Sequence, residues 1–342
     1  MTSGAARPVR LLQDRRLTAA VAACLIGVAL LTASCGSGPE KPRTGGYPGA
    51  AAIFASATKH VTWSKLTHVD RMLPLPEDAV NDRPPFYREH PECQTDVGVS
   101  TPQPCVFGDT SARRTMVIVG DSKVVQWQTA LSALGKAGAW RLVQITKSAC
   151  PFTAAQVTMG DKVWKDCHAW GKAALREILK IKPEVVVTSQ GRGSALPDGA
   201  GAATPPTRQA MARGMATYWR TLTAAGIHVV ALLDNPVPTD APVYECVSQH
   251  LDALDRCSFD ESAGDRASGA PAARAAAALV PGVTTLDMDD VICPGEGRCA
   301  PVVGNVLVYR QGSHLTRTYI DSMEPELARR LYRATSGAFG VR

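Results

Sequence analysis

The 342-residue sequence lacks the marks of several large functional classes. Aromatics make up only 6% of it, and no run of lysine and arginine is interleaved with them. The net charge is +6, but Arg7, Arg10, Arg15 and Arg16 against Asp14 supply half of it. What remains, about +3, is too little for a nucleic-acid footprint. No Cys-x-x-Cys or clustered Cys/His spacing offers a zinc site, and no cofactor motif stands out. No internal repeat suggests a solenoid. The α/β-hydrolase elbow Gly-x-Ser-x-Gly is also missing, because Val124 stands where its second glycine belongs. An apolar fraction of 45% and a charged fraction of 20% exclude a disordered, collagen-like or multi-span membrane chain.

What is present begins with an address. A basic stretch, Arg7 to Arg16, precedes an apolar run from Leu17 to Leu31, then small residues and Cys35. That layout is a secretory signal. Leu31-Thr32-Ala33-Ser34-Cys35 is similar to a bacterial lipoprotein cleavage site, with Thr32 where leucine is usual. Residues 1–35 are therefore expected to be a signal peptide and lipobox, with Cys35 the lipid-bearing residue. An uncleaved anchor or soluble secretion is the alternative. In every case the chain is expected to be exported, and in the favoured reading it is held by its lipid at the outer face of the cytoplasmic membrane or cell envelope.

Ten cysteines less Cys24 and Cys35 leave eight. An even number outside a reducing cytosol reads as disulfides. Their order along the chain suggests Cys93–Cys105, Cys150–Cys167, Cys246–Cys257 and Cys293–Cys299.

Residues 36–50 are rich in glycine and proline, so 36–72 is expected to be a flexible tether with a short helix around Ala51 to Lys65. The domain would span 73–342. Leu73 to Thr110, dense in proline, reads as ordered coil. Met116 to Val119 then forms a short apolar run ending in Gly120, the pattern of a buried parallel strand. Helical spacing follows from Val124 to Leu134. Further strands are expected at Arg141–Ile145, Val185–Val187, His228–Leu233 and Val283–Leu286. Helices are expected at Val163–Leu179, Thr207–Ala224 and Pro271–Leu279, and from His314 to Ala334 with an interruption near Pro325. This alternation predicts a doubly wound parallel α/β sheet in one domain, with ligands at the carboxyl ends of its strands. Trp127, Trp164 and Trp170 sit at helical spacings that suit packing, so no sugar platform is read from them.

Gly120-Asp121-Ser122 lies at such an end. Chance and helix capping both produce this tripeptide. A serine hydroxyl needs a base to become a nucleophile, and histidine is the usual one. Of seven histidines, His60, His68 and His90 fall in tether or coil, His228 begins a strand, His168 lies in a helix and His250 in a disulfide loop. His314 alone combines a loop position with a route to the sheet edge.

Together, Val119 to Ser122 with Gln126-Trp127, Thr146 to Pro151, Cys167, Cys293-Pro294 with Cys299, and Tyr309 to Thr316 resemble the SGNH (GDSL-like) hydrolases. More narrowly, they resemble the periplasmic SGNH domain fused to membrane acyltransferases of the acyltransferase-3 family, over roughly residues 90–335. The resemblance implies a flavodoxin-like sheet and acyl-ester chemistry, with Ser122 the nucleophile, His314 the base and the Ser122 N–H an oxyanion donor. The family's asparagine is absent after the third strand, leaving Gln190 or the Gly191 amide as substitutes. The family's aspartate three residues before the histidine is Gln311 here, a possible orienting residue without charge. Three readings follow: a Ser–His dyad, a carboxylate borrowed from Asp287, Asp289 or Asp290, or a degenerate site that binds without turnover. Lys123, where the family often has histidine, reads as a solvent-facing cap, with steering of an anionic substrate as the alternative. Asp234 and Asn235, ending the fourth strand, reach the same edge and are candidates to line the pocket. The expected function is an extracytoplasmic esterase or O-acyl transferase acting on acyl groups of envelope glycan or lipid. A non-catalytic envelope-binding lipoprotein is the alternative.

Overall fold

The computed structural model describes residues 46–339 apart from Glu296. The leader, Cys35 and residues 36–45 of the expected tether lie outside the described residues. From Gly46 onward the chain is packed on the domain. The helix expected around Ala51 to Lys65 is broken into 3₁₀ turns, among them Gly49–Phe54 and Trp63–Lys65. Ala50, Ala52 and Trp63 are buried. The Gly49 N–H donates to the Gly304 carbonyl (3.0 Å) and the Ala50 N–H to Ser322 Oγ (2.9 Å). Small residues let this segment lie flat against its neighbours.

Seven strands form the central sheet: β1 (Gln94–Thr95), β2 (Cys105–Gly108), β3 (Arg114–Gly120), β4 (Trp140–Lys147), β5 (Val185–Ser189), β6 (His228–Leu232) and β7 (Thr284–Leu286). Their order is β1-β4-β3-β5-β6-β7, all parallel, with β2 antiparallel to β4. Setting β1 and β2 aside, the remaining five strands have the flavodoxin-like order, which reverses between β3 and β5. The strands β1 and β2 fall in the segment read as coil. The first is two residues long, and the second is a half-exposed edge strand without apolar alternation, so neither carries a strand signal.

Alternation along the strands sends side chains to two cores. Met116, Ile118, Leu142, Val185 and Val187 face α2 (Gln128–Gly138) and the last two helices, α6 (Arg317–Ser322) and α7 (Glu324–Ala334). Val117, Val119, Val143, Ile145 and Val186 face α3 (Lys165–Ile181), α4 (Arg208–Ala224) and α5 (Ala270–Ala278). A fully buried valine or isoleucine contributes roughly 1.5–3 kcal/mol, so the β3–β5 centre is the firmest part of the sheet. Thr207 caps α4 by accepting the Ala210 N–H (3.1 Å), and Thr316 caps α6 by accepting the Tyr319 N–H (3.2 Å). Helix α6 therefore starts three residues after His314, which leaves the histidine on a loop.

All four expected disulfides are formed. Cys150–Cys167 ties the loop after β4 to the first turn of α3. No helix among the described residues is long and apolar enough to cross a membrane.

Candidate active site

The site grows out of the end of β3. Gly120 pairs in register with Thr146 of β4 and Ser189 of β5, and has φ of 142°. A Cβ there would stand 2.2 Å from the Ser189 carbonyl oxygen, so only glycine allows β3 and β5 to close at this point. Gly120→Ala is expected to cost about 3 kcal/mol and to lower Tm by roughly 6–12 °C, checked by thermal unfolding followed by circular dichroism.

Beyond Gly120 the chain turns into the short helix α1 (Ser122–Val125). Asp121 caps it, its Oδ1 accepting the Lys123 N–H (2.9 Å) while Oδ2 accepts the Gly191 N–H (3.0 Å). Burial pushes the Asp121 carboxyl up to about 6, against the pull of those two amides. Capping and the reactive position thus fall on adjacent residues, and Asp121 does the capping. The Ser122 hydroxyl is left for His314, whose Nε2 lies 2.8 Å from Ser122 Oγ. No protein acceptor takes the Ser122 N–H among the described residues.

His314 is held on a tight loop. Arg310 N–H donates to the His314 carbonyl (2.9 Å), Tyr309 and Leu315 form an isolated antiparallel bridge, and Arg310 Nε donates to the Leu315 carbonyl (3.1 Å). The imidazole Nδ1 sits 3.3 Å from the main-chain carbonyl of Gln311. The Gln311 side chain is exposed and does not orient the ring, so the part expected of its amide group falls to its backbone. Burial, then the Lys123 ammonium and the Arg310 guanidinium, push the imidazole down to about 3, with the Gln311 carbonyl opposing them.

Several expected roles change in the structure. Asp287, Asp289 and Asp290 do not lend a carboxylate to His314. They pair with arginines instead, Asp287 and Asp289 with Arg274 (3.1 and 3.6 Å) and Asp290 with Arg330 (2.7 Å), around a cavity of about 520 Å³. The Gly191 amide is given to Asp121 and is not free for an oxyanion. Gln190 is buried, its Oε1 without a partner among the described residues. Asp234 and Asn235 are both buried. Lys123 is no solvent cap either. Its side chain is 4% exposed, with Nζ 2.8 Å from Asp234 Oδ1.

Lys123 Nζ also donates to Asn235 Oδ1 (3.2 Å) and to the Ser313 carbonyl (2.7 Å). Asn235 Nδ2 donates to that same carbonyl (2.9 Å). Gln126 donates through Nε2 to Asn235 Oδ1 (3.0 Å) and accepts the Leu315 N–H through Oε1 (3.0 Å). Burial raises the Asp234 carboxyl, and Lys123 counters it. These links were missed in the sequence. The available signal was complementary charge, a lysine after one strand and an aspartate after another at the same sheet edge. No group of three or more metal-ligating side chains occurs among the described residues.

The fold and the contact between Ser122 and His314 at the strand edge define an α/β protein with a serine–histidine pair at its topological switch point. The SGNH domain that is found fused to AT3 domains matches the chain over residues 92–329, more than half its length. The chain belongs to that SGNH family. Among solved structures, it is similar to the periplasmic domain of a lipopolysaccharide acetyltransferase from Salmonella ser. Paratyphi A, at 16% identity and a TM-score of 0.48 over 65% of this chain and 85% of that one. It is also similar to a putative acylhydrolase from Bacteroides fragilis, at 14% identity and 0.40, covering 68% and 91%. A GDSL-like lipase from Bacteroides thetaiotaomicron matches at 15% and 0.38, covering 66% and 89%. No curated protein matches the chain.

Proposed function

We propose that this protein is an extracytoplasmic serine esterase or O-acyl transferase that acts on acyl groups of envelope glycan or lipid. The observation that carries the reading is the 2.8 Å approach of His314 Nε2 to Ser122 Oγ at the carboxyl edge of the sheet. The imidazole is held neutral, which leaves the lone pair on Nε2 free to accept the proton, although its basicity is reduced. Ser122 Oγ attacks the ester carbonyl as its proton passes to Nε2, and the Ser122 N–H faces the oxyanion that forms. Collapse breaks the ester C–O bond, and the imidazolium returns its proton to the leaving alcohol. Water or an acceptor hydroxyl then resolves the acyl-enzyme by the same route in reverse. The secretory leader motivates the envelope substrate class, with attachment through Cys35 as its expected anchor.

A second reading is favoured by one observation: no carboxylate among the described residues accepts from His314 Nδ1. In that reading the cleft binds acylated glycan or lipid without turnover. A fluorophosphonate probe separates the two. Labelling is expected on the wild-type domain, mapped by mass spectrometry to Ser122, and absent from Ser122→Ala. A folded wild-type domain that never labels supports the binding protein.

A further inference from the structure

We propose that Lys123 is a positioning residue for the base, and that with Asn235 and Gln126 it holds the backbone on both sides of His314 in place of the absent carboxylate. This rests on the reading of Ser122 and His314 as nucleophile and base. A triad carboxylate serves two ends: it fixes the imidazole's orientation and it stabilises the imidazolium. Here the first end is met from the main chain. The Ser313 carbonyl receives two donors, Lys123 Nζ and Asn235 Nδ2, and the Leu315 N–H is taken by Gln126 Oε1. His314 lies between these two anchored peptide groups.

The three side chains come from two places only. Lys123 lies on α1 and Gln126 caps its C-terminal end, both just after the nucleophile, and Asn235 follows β6. The parts that set the serine therefore also set the histidine, and the two are registered to each other rather than separately to the fold. Asn235 Oδ1 closes the arrangement by accepting from both Lys123 Nζ and Gln126 Nε2. Every polar atom of the Asn235 side chain is thereby used.

A buried ammonium needs a counter-charge, and Asp234 supplies it. Asp234 Oδ2 in turn accepts the Gly269 N–H (3.0 Å). The second end of the triad carboxylate is not met. Lys123 places positive charge near the imidazole, Arg310 adds to it, and the nearby carboxyls Asp121 and Asp234 are engaged with amides or with Lys123. The clamp gives geometry at the expense of basicity.

Lys123→Met alone leaves Asp234 buried without its partner and is prone to misfold, so the test is the pair Lys123→Met with Asp234→Asn. Asparagine keeps an oxygen for the Gly269 amide. The folded double variant is expected to lose at least about thirtyfold in kcat on an aryl ester, with KM within about twofold. The imidazole of His314, followed by ¹⁵N NMR and identified against His314→Gln, is expected to titrate at higher pH once the ammonium is gone. In its crystal structure, Nε2 is expected to leave hydrogen-bond range of Ser122 Oγ, beyond about 3.5 Å. A double variant that keeps its kcat within about twofold, or keeps the imidazole on Ser122, overturns the proposal. The NMR and crystallographic arms stand even if the wild-type protein hydrolyses nothing, so failure of the clamp and failure of the esterase reading are told apart.

Discussion

His314→Ala is expected to lower kcat on an aryl ester by between about 10² and 10⁴, with little change in Tm. The range follows from the way triads fail. In subtilisin, removing the serine or the histidine costs about 2 × 10⁶ in kcat, as much as removing all three, while removing the aspartate alone costs about 3 × 10⁴. A site already without its carboxylate, and with nothing in its place, would have only about 10² left to lose. A loss nearer 10⁴ would show that the imidazole is well placed by other contacts, which is what the bonds to Ser313 and Leu315 provide. A loss under tenfold would remove His314 from the base role. The same enzyme should stay active far into acid. The working form of the base is the neutral imidazole, so activity disappears as pH falls through its pKa. With that pKa pushed down to about 3, the acid limb of kcat/KM lies near there, not near 6.5. Near-UV circular dichroism on the same samples separates this limb from acid unfolding, and a limb at pH 6–7 contradicts the buried, cation-flanked imidazole.

The second large effect is a gain. Gln311→Asp is expected to raise kcat by between about tenfold and a thousandfold. Position 311 stands three residues before His314, its carbonyl already faces Nδ1, and its side chain is exposed, so an aspartate there costs the fold little. Two opposite unit charges about 4 Å apart interact by about 4 kcal/mol at an effective dielectric of 20. Exposure of the new carboxylate reduces that figure, which sets the lower bound. Because an adjacent anion favours the imidazolium, the acid limb moves up in pH as the rate rises. Paired measurements of kcat and its pH profile on the two proteins decide it. An unchanged rate with an intact fold would argue that the site does not turn over, because Asp287, Asp289 and Asp290 are committed to Arg274 and Arg330.

The central strands and the reactive pair were legible because each rests on a local rule. A run such as Met116 to Val119 ending in glycine is buried in any doubly wound sheet, and a serine after that glycine falls at the carboxyl edge. His314 could be chosen among seven histidines because the others fall in strands, helices or coil away from that edge. The clamp was not legible, since it joins residues 123, 126 and 235 to the backbone of 313 and 315, and no periodicity encodes contacts at that separation. Lys123 misled for a related reason. A lysine at a helix start reads as solvated unless its counter-ion is known, and Asp234 lies more than a hundred positions away. Backbone donors escaped in the same manner. Gly191 was a reasonable oxyanion candidate until Asp121, itself a good helix cap, was seen to take its N–H.

Ser122 and His314 are 192 positions apart, and closing a loop of that length costs about 5 kcal/mol of chain entropy. The serine follows the strand at the middle of the sheet, whereas the histidine arrives on a loop beyond the last sheet strand. The hydroxyl therefore has no base beside it, and is as unreactive as any surface serine, until the loop that carries His314 has docked on the sheet edge. In the proposed reading, tertiary docking of the histidine loop is what switches the serine on.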